Sequence, residues 1–140
     1  MDLKNLLYKG HNLRTVDFDM FSDHEGKGYY NYSNEIDNDV IVIEDESDKE
    51  NLKRDIQIEV NSVLEGFEQD TDVKIFSLKL KFTAVFCLYG DDILEETIGQ
   101  DNEWFFLNFV AQSSKKIIES ILEDTPLRGI PIPAHRSLGS

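Results

Sequence analysis

The segment Val73–Tyr89 constrains the fold of this chain most, because apolar residues occupy every second position from Phe76 to Leu88 without a break. The apolar side chains, at every second position, are Phe76, Leu78, Leu80, Phe82, Ala84, Phe86 and Leu88. The positions between them include Ser77, Lys79, Lys81 and Thr83. Alternation over 13 residues is typical of a β-strand with one buried face. We therefore expect one long strand here. Either the sheet is tall enough to contain it, or the strand bends along its length.

Two other segments predict strands that would share a sheet with this one. Arg54–Glu65 alternates in the same way, with apolar residues at every second position from Ile56 to Val60. The connector Gly66–Asp72 is rich in turn-forming residues, so the two strands are predicted to form an antiparallel hairpin. Asp39–Glu44 contains the run Val-Ile-Val-Ile and is predicted to be a third strand.

Leu13–Phe21 is the fourth predicted strand. Simple alternation places Leu13, Thr15, Asp17 and Asp19 on one face and Arg14, Val16, Phe18 and Met20 on the other. Gly26 and Gly28 mark a break after this segment. Tyr29–Tyr32 is predicted to extend that strand or to follow it.

The second half of the chain predicts one long amphipathic helix. Asp101 or Asn102 is placed to cap its first turn, and Pro126 ends it near Asp124. Apolar or small side chains recur at spacings of three and four residues, at Leu107, Val110, Ala111, Ser114, Ile117, Ile118 and Ile121. A shorter helix over Ile93–Ile98 is predicted between the long strand and this helix.

The first turns of the long helix are apolar on every side. The residues concerned are Trp104, Phe105, Phe106, Leu107, Phe109 and Val110. A helix that is apolar all round is expected to be buried on more than one side. Either a second subunit covers this end of the helix, or the rings line a groove for an apolar ligand. The same aromatic residues would also fit an ordinary protein core.

Charge and length narrow the possible functions. The chain has 140 residues, which fits one domain, and its 28 acidic against 14 basic residues give a formal net charge of −14. This charge repels phosphate and disfavours binding to nucleic acid or to an anionic membrane. Nine of the acids lie between Glu35 and Asp55, and residues 44–53 are predicted to be a solvated acidic loop.

The sequence carries no recognisable catalytic or metal-binding motif. His11, His24 and His135 lie far apart, and the single cysteine, Cys87, can form neither an internal disulfide nor a zinc site of the usual spacing. Glycine-rich phosphate-binding motifs and the nucleophile elbow are absent. We therefore expect a protein that is not an enzyme and has no cofactor or metal. One cysteine and the lack of a membrane-spanning apolar run favour a cytoplasmic location.

The order of these elements resembles that of the SecB protein-export chaperones. The most similar stretch is the aromatic start of the helix at Asn102–Phe109, the amphipathic continuation to Leu122, and the proline-containing segment Thr125–Pro133. Phe82–Phe86 is similar to the last strand of that family. Phe109-Val110-Ala111 stands where the family usually has Phe-Pro-x-x-Arg. This departure is typical of divergent SecB-like relatives, some of which serve toxin–antitoxin systems.

The resemblance implies an α+β fold and an assembly. A four-stranded antiparallel sheet would be followed by a short helix and one long C-terminal helix, in a single domain over residues 1–140. The ends, 1–11 and 134–140, would be flexible. Four chains would assemble as a dimer of dimers, with the long helices packed between two sheets.

The function implied is that of an ATP-independent holdase, which binds unfolded polypeptide segments in hydrophobic grooves between sheet and helix. It would keep them competent for export or folding. Seven aromatic residues are candidates for contact with these clients: Phe76, Phe82, Phe86, Trp104, Phe105, Phe106 and Phe109. Glu59 and Glu65 are candidates for an acidic contact with a partner such as SecA or a toxin–antitoxin component. The alternative is an acidic inhibitor or immunity-type protein with one basic partner, which the acids between Glu35 and Asp55 favour.

Overall fold

Five strands and one long helix make up the fold in a computed structural model, which describes residues 3–22, 27–37, 41–44, 53–90 and 101–132. The elements follow a short 3-10 turn at Leu3–Asn5 and are β1 (Leu6–Met20), β2 (Gly28–Ile36), β3 (Ile41–Glu44), β4 (Lys53–Glu68), β5 (Lys74–Tyr89) and α1 (Glu103–Leu122). The predicted acidic loop, apart from its end residues, the predicted short helix and the segment 134–140 lie outside the described residues.

The strands form one antiparallel sheet in the order β1-β5-β4-β2. β3 pairs with Arg54–Gln57 of β4, and β2 pairs with Val60–Glu68 of the same strand, so the two follow one another along one edge. The predicted hairpin of β4 and β5 is confirmed. The predicted count of four strands is wrong, because Tyr29–Tyr32 belongs to a separate strand that pairs with β4 instead of extending β1.

The faces of β1 differ from those predicted, because the strand contains two bulges. The pairing of β1 with β5 shifts by one residue between Tyr8 and Gly10 and again between Leu13 and Thr15. Each extra residue resets the alternation of side chains. Leu13 therefore lies on the same face as Val16 and not, as predicted, on the face of Thr15. Gly10 has a φ of 138°, a conformation that glycine adopts without strain.

β1 also begins earlier than predicted. Leu6 pairs with Leu88 of β5 and is buried, so the expectation of a flexible end over residues 1–11 fails from Leu6 onward. The alternation that located the strand begins only at Leu13, because the bulge at Tyr8 and Gly10 interrupts it.

The core lies between α1 and one face of the sheet. β4 contributes Ile56, Ile58, Val60 and Leu64, β5 contributes the seven apolar residues from Phe76 to Leu88, and α1 contributes Phe106, Val110, Ile117, Ile118 and Leu122. Burial of each valine, leucine, isoleucine or phenylalanine side chain among them stabilises the fold by about 1.5–3 kcal/mol. The apolar face of the long strand is buried, as its pattern predicts, but Ser77, Thr83 and Cys87 on its other face are buried as well.

A glycine in β4 makes room for one of these rings. Gly66 pairs with Phe76, and a Cβ atom at Gly66 would lie 2.1 Å from the ring Cε1 of Phe76. Such a distance is shorter than any ordinary contact between carbon atoms. Only glycine therefore lets the Phe76 ring lie across the neighbouring strand, where it is buried.

Polar groups close both ends of α1. The Asn102 carbonyl accepts hydrogen bonds from the backbone N–H groups of Phe105 and Phe106 at 3.0 and 3.2 Å. At the other end, the Thr125 hydroxyl donates to the Leu122 carbonyl at 2.7 Å, and Pro126 follows. The predicted helix is confirmed to within two residues at each end. Within the described part of the chain, no helix is both long and apolar enough to cross a membrane.

Candidate functional site

An aromatic cluster forms where the start of α1 meets the sheet. Its members are Tyr8 of β1, Phe86 of β5 and the four helix residues Trp104, Phe105, Phe106 and Phe109. The Phe86 ring is central, with its centroid 5.0 Å from that of Phe106, 5.2 Å from Tyr8 and 5.8 Å from Phe109. These are the spacings of tilted and edge-to-face aromatic pairs. The sequence predicts Phe86 and the four helix residues as candidates for one client-binding groove, and it does not single out Tyr8.

Exposure rises across the aromatic cluster from the sheet to solvent. Phe86 and Phe106 are fully buried, Phe105 and Phe109 are half-buried, and Trp104 is 68% exposed. The Trp104 indole meets the Phe105 ring edge-to-face at 5.9 Å. An exposed ring is thus continuous with the core through a half-buried one. Among the described residues, only the sheet covers the aromatic helix start.

Two of the predicted client-contact residues lie away from this cluster. Phe76 and Phe82 are buried further along β5, in the core cluster that the sheet forms with α1. The ring of Phe82 lies 6.0 Å from that of His11. Neither phenylalanine presents ring surface to solvent, whereas Trp104, Phe105 and Phe109 do.

The two predicted acidic contacts occupy the face of the sheet opposite α1. Glu59 pairs with Thr83 and is exposed, while Glu65 pairs with Ser77 and is half-buried. The Glu65 carboxylate forms a 2.5 Å ion pair with Lys74. Six residues along one strand separate the two acids by about 20 Å. They are therefore too far apart for one side chain of a partner to contact both.

A polar group sits beside the aromatic cluster. The Tyr8 hydroxyl is hydrogen-bonded to Ser113 of α1 and lies 3.3 Å from Nδ1 of His11. Burial raises the pKa of Tyr8, while the bond to Ser113 lowers it. Burial, followed by the positive charge of Lys116, lowers the pKa of His11. His11 is therefore neutral at pH 7, with a ring nitrogen available to the tyrosine hydroxyl.

A second polar chain fixes the middle of the helix to the sheet. The Tyr32 hydroxyl donates to Ser114 at 2.7 Å, Ser114 donates to Ser62 at 3.0 Å, and Ser62 donates to Asn34. Ser114, Ser62 and Asn34 are all buried. Burial raises the pKa of Tyr32, so the donor stays protonated. Tyr8 and Tyr32, from strands at opposite edges of the sheet, thus form hydrogen bonds with the neighbouring serines Ser113 and Ser114 of α1.

An apolar strip on β1 lies beside this helix, and simple alternation groups three of its four members, Val16, Phe18 and Met20, but not Leu13. Leu13 and Val16 face the side of α1, and both are almost half exposed. Phe18 and Met20 continue the strip and pack partly against the core. Leu13 is missed because the bulge between Leu13 and Thr15 breaks the period of two.

A cleft of about 410 Å³ lies at the other end of α1. Its apolar walls come from Leu122, Leu127, Ile130 and Ile132, and Lys115 and Glu119 stand at its rim. The Tyr30 hydroxyl donates to the Pro131 carbonyl and holds the returning segment in place. The prolines of this segment were the only hint of it in the sequence. Among the described residues, no group of three His, Cys, Asp or Glu side chains is placed to hold a metal ion.

Comparison with known proteins gives a match in structure but not in sequence. No family model and no curated protein matches the sequence. The structure is similar to that of the Mycobacterium tuberculosis Rv1957 SecB-like chaperone in complex with a ChAD peptide from the Rv1956 HigA1 antitoxin. The TM-score is 0.63 with 12% sequence identity, over 96% of this chain and 91% of the other. The chain therefore has the fold of a SecB-like chaperone, which confirms at the level of structure the resemblance seen in its sequence.

Proposed function

We propose that this protein is an ATP-independent holdase chaperone that binds unfolded polypeptide segments. The observation that carries the proposal is the exposed Trp104 side chain, which continues through Phe105 and Phe109 into a packed aromatic core. Large exposed apolar surface on a folded chain is typical of a binding site for other chains. The similarity to a SecB-like chaperone solved with an antitoxin peptide supports the same reading and a toxin–antitoxin association.

Each aromatic residue has a role in this proposal that follows from its exposure. Trp104, Phe105 and Phe109 contact the client, because their rings reach the surface. Phe86 and Phe106 support them from beneath. Apolar burial gives affinity without sequence specificity, at about 25 cal/mol per Å² before the cost of ordering the client.

We also propose that the chain assembles as a homotetramer, a dimer of dimers. β1 pairs with β5 on one side only, and no described strand pairs with its other edge. The half-exposed Leu13 and Val16 beside that edge suit contact with a second copy. Glu59 is the more accessible candidate for contact with SecA or a toxin–antitoxin component, since Glu65 is paired with Lys74.

The first test is the mass of the purified protein by light scattering, followed by its effect on the aggregation of an unrelated denatured protein. We expect about 65 kDa, four times the chain mass of 16.2 kDa, together with suppressed aggregation. A monomer that suppresses nothing would overturn the proposal and favour an acidic inhibitor of one basic partner.

A double variant and a single control variant locate the site. The double variant, Trp104→Ala with Phe105→Ala, is expected to lose most of its ability to suppress aggregation of the denatured protein. Tyr89→Ala serves as the control, because Tyr89 is also an exposed aromatic residue but lies on the face opposite α1. Equal loss in both variants would show that exposed aromatics in general, and not the aromatic cluster, hold the client.

A further inference from the structure

One stripe along α1 joins the client-contact rings of the aromatic cluster to a polar contact with β1. Phe105, Phe109 and Ser113 follow one another at spacings of four residues, and Lys116 lies three residues further on. Residues at these spacings share one side of a helix. The Phe109 ring stacks on Tyr8 of β1, with centroids 5.3 Å apart, and the Tyr8 hydroxyl is hydrogen-bonded to Ser113. The same tyrosine thus contacts the helix through its hydroxyl and supports a client-contact ring with its aromatic face.

His11 of β1 lies beside this contact. Its Nδ1 atom is 3.3 Å from the Tyr8 hydroxyl, and its ring meets Phe82 edge-to-face at 6.0 Å. His11 pairs with the buried Ala84 of β5, so its side chain lies on the face of the sheet that α1 covers. Lys116 of α1 is close enough for its positive charge to disfavour the protonated imidazole.

Among the described residues, the groups around the His11 ring carry no negative charge. They are Phe82 and Ala84 of β5, Tyr8 of β1, and Ser113 and Lys116 of α1. The next acid along α1, Glu119, forms an ion pair with Lys115 at 3.9 Å. Protonation of His11 therefore adds a second positive charge near Lys116 with no described anion to offset it.

Protonation of His11 changes the contact between β1 and α1 in two ways. A neutral imidazole can accept a hydrogen bond at Nδ1, whereas both nitrogens of the charged ring are donors. Of its two partners, the Tyr8 hydroxyl can then donate only to Ser113. The charge also repels Lys116 and so opposes the packing of α1 on β1 at this point. Both changes act on the tyrosine that supports the Phe109 ring.

We propose that His11 acts through Tyr8 as a pH-sensitive positioning group for the aromatic cluster, so that the cluster binds a client more tightly when His11 is neutral than when it is protonated. This inference rests on the proposed holdase function and adds a regulation of the same site. A client that prefers one protonation state shifts the equilibrium toward that state, so client binding in turn disfavours protonation of His11. Clients are thus bound at neutral pH and are released more readily as the pH falls below about 6.5.

The single tryptophan of the chain reports on this coupling without a client. The Trp104 indole meets the Phe105 ring, and the centroid of Phe105 lies 5.2 Å from that of Phe109. Phe109 in turn stacks on Tyr8. The fluorescence emission of Trp104 is therefore expected to titrate between about pH 5 and pH 8. The midpoint should lie below 6.5, because burial and Lys116 lower the pKa of His11.

Histidine variants identify the group that titrates. His11→Gln is expected to remove the step in Trp104 emission. A variant with glutamine at both His24 and His135 is expected to retain it. A step that persists in His11→Gln, or no step in the parent protein, would overturn the coupling.

Two neighbouring lysines of α1 provide a matched pair of variants. Lys116→Gln removes the charge that disfavours protonation of His11, so the midpoint should move up toward 6.5. Lys115→Gln is the control, because Lys115 is paired with Glu119 and is not among the groups around His11. Equal midpoints for the two variants would overturn the electrostatic part of the proposal.

Client binding is measured with a peptide of leucine, phenylalanine and serine that has blocked ends and a dye insensitive to pH, so that the probe itself does not titrate. Its dissociation constant is expected to be roughly threefold or more higher at about pH 5 than at about pH 7.5, and His11→Gln should remove this difference. Equal constants at both pH values would overturn the proposal, while loss of binding in the double variant Trp104→Ala with Phe105→Ala would still support the holdase function. No binding at either pH would overturn the holdase function and the regulation with it, and a step in Trp104 emission would then show that His11 still acts on the aromatic cluster.

Discussion

Trp104 and Phe106 are two residues apart in α1 but have opposite environments. A helix turns by about 200° over two residues, so one ring faces the sheet when the other faces solvent. Phe106 is fully buried with its ring 5.0 Å from Phe86, whereas Trp104 is largely exposed. Sequence alone assigns both to one aromatic set. The structure separates a residue that holds the core from a residue that is available for binding.

Substitution of these two residues should therefore affect stability very differently. Phe106→Ala is expected to lower the free energy of unfolding by about 3–5 kcal/mol, because it leaves a cavity in the core. Trp104→Ala is expected to change it by about 0.5 kcal/mol or less. Urea unfolding with comparable m-values measures both. A loss for Trp104→Ala as large as that for Phe106→Ala would contradict the exposed position of the indole.

His11 gives the fold a dependence on pH in the mildly acidic range. Its pKa lies below the value of 6.5 expected in the unfolded chain, since burial and Lys116 disfavour its charged form. As the pH falls below about 6.5, the unfolded chain takes up a proton that the folded chain does not. The contribution of neutral His11 to the free energy of unfolding is thus complete above about pH 6.5. It is lost as the pH falls toward the pKa of His11 in the folded chain. The groups facing the ring, the Tyr8 hydroxyl, Phe82 and Lys116, offer no compensating anion.

The variant His11→Gln should flatten this dependence. Urea midpoints of the parent protein and the variant, measured between about pH 5 and pH 8, are expected to converge or cross as the pH falls. The carboxylates contribute equally to both proteins, so the difference isolates the histidine. A difference that stays constant over this range would show that His11 has the same pKa in both states.

Among the elements, those with one continuous buried face could be predicted from sequence. β4, β5 and α1 each keep a single apolar face, so alternation or helical spacing locates them to within a few residues. β1 could not be placed fully, because two bulges shift its alternation without any change in composition. β2 is hidden for another reason: its inward residues Tyr30, Tyr32 and Asn34 are polar or amphipathic and resemble their outward neighbours.

The docking of α1 on the sheet also depends on contacts that spacing does not reveal. Ser114 appears in the helical stripe only as a small residue, yet it accepts a hydrogen bond from Tyr32 and donates one to Ser62. Ser114, Tyr32 and Ser62 belong to three different elements, α1, β2 and β4. Because a buried hydroxyl without a partner is costly, this chain defines where the helix sits along the sheet.

A double-mutant cycle on Tyr32 and Ser114 measures this contribution. Ser114→Ala leaves the hydroxyls of Tyr32 and Ser62 without one partner, and we expect a loss of about 1–3 kcal/mol in the free energy of unfolding. Tyr32→Phe added to Ser114→Ala should cost less than the sum of the two single changes, with a coupling of about 0.5 kcal/mol or more. Ser120→Ala, on an exposed position of the same helix, is the control and should change stability by about 0.5 kcal/mol or less. Full additivity would show that the hydrogen bond contributes nothing to helix docking.

At the scale of the whole molecule, the sequence predicts which residues form the candidate site but not which of them are exposed. The aromatic composition of the helix start and its proximity to Phe86 follow from the pattern of residues. Which rings reach the surface does not follow, because exposure depends on how the helix is rotated against the sheet. Which described strands lie at the edges depends in the same way on the order of strands, which is a property of the complete sheet.

The net charge of −14 acts on the molecule as a whole. Repulsion among the acids opposes a compact state and is screened as the Debye length falls from about 30 Å at 0.01 M salt to about 10 Å at 0.1 M. The melting temperature is therefore expected to rise with sodium chloride over this range. Replacing Glu46, Asp48 and Glu50 by their amides reduces the net charge to −11 and should weaken this dependence while unfolding stays cooperative. An unchanged salt dependence in the triple variant would show that these acids do not contribute to the repulsion, and loss of cooperative unfolding would show that their side chains are needed for the fold.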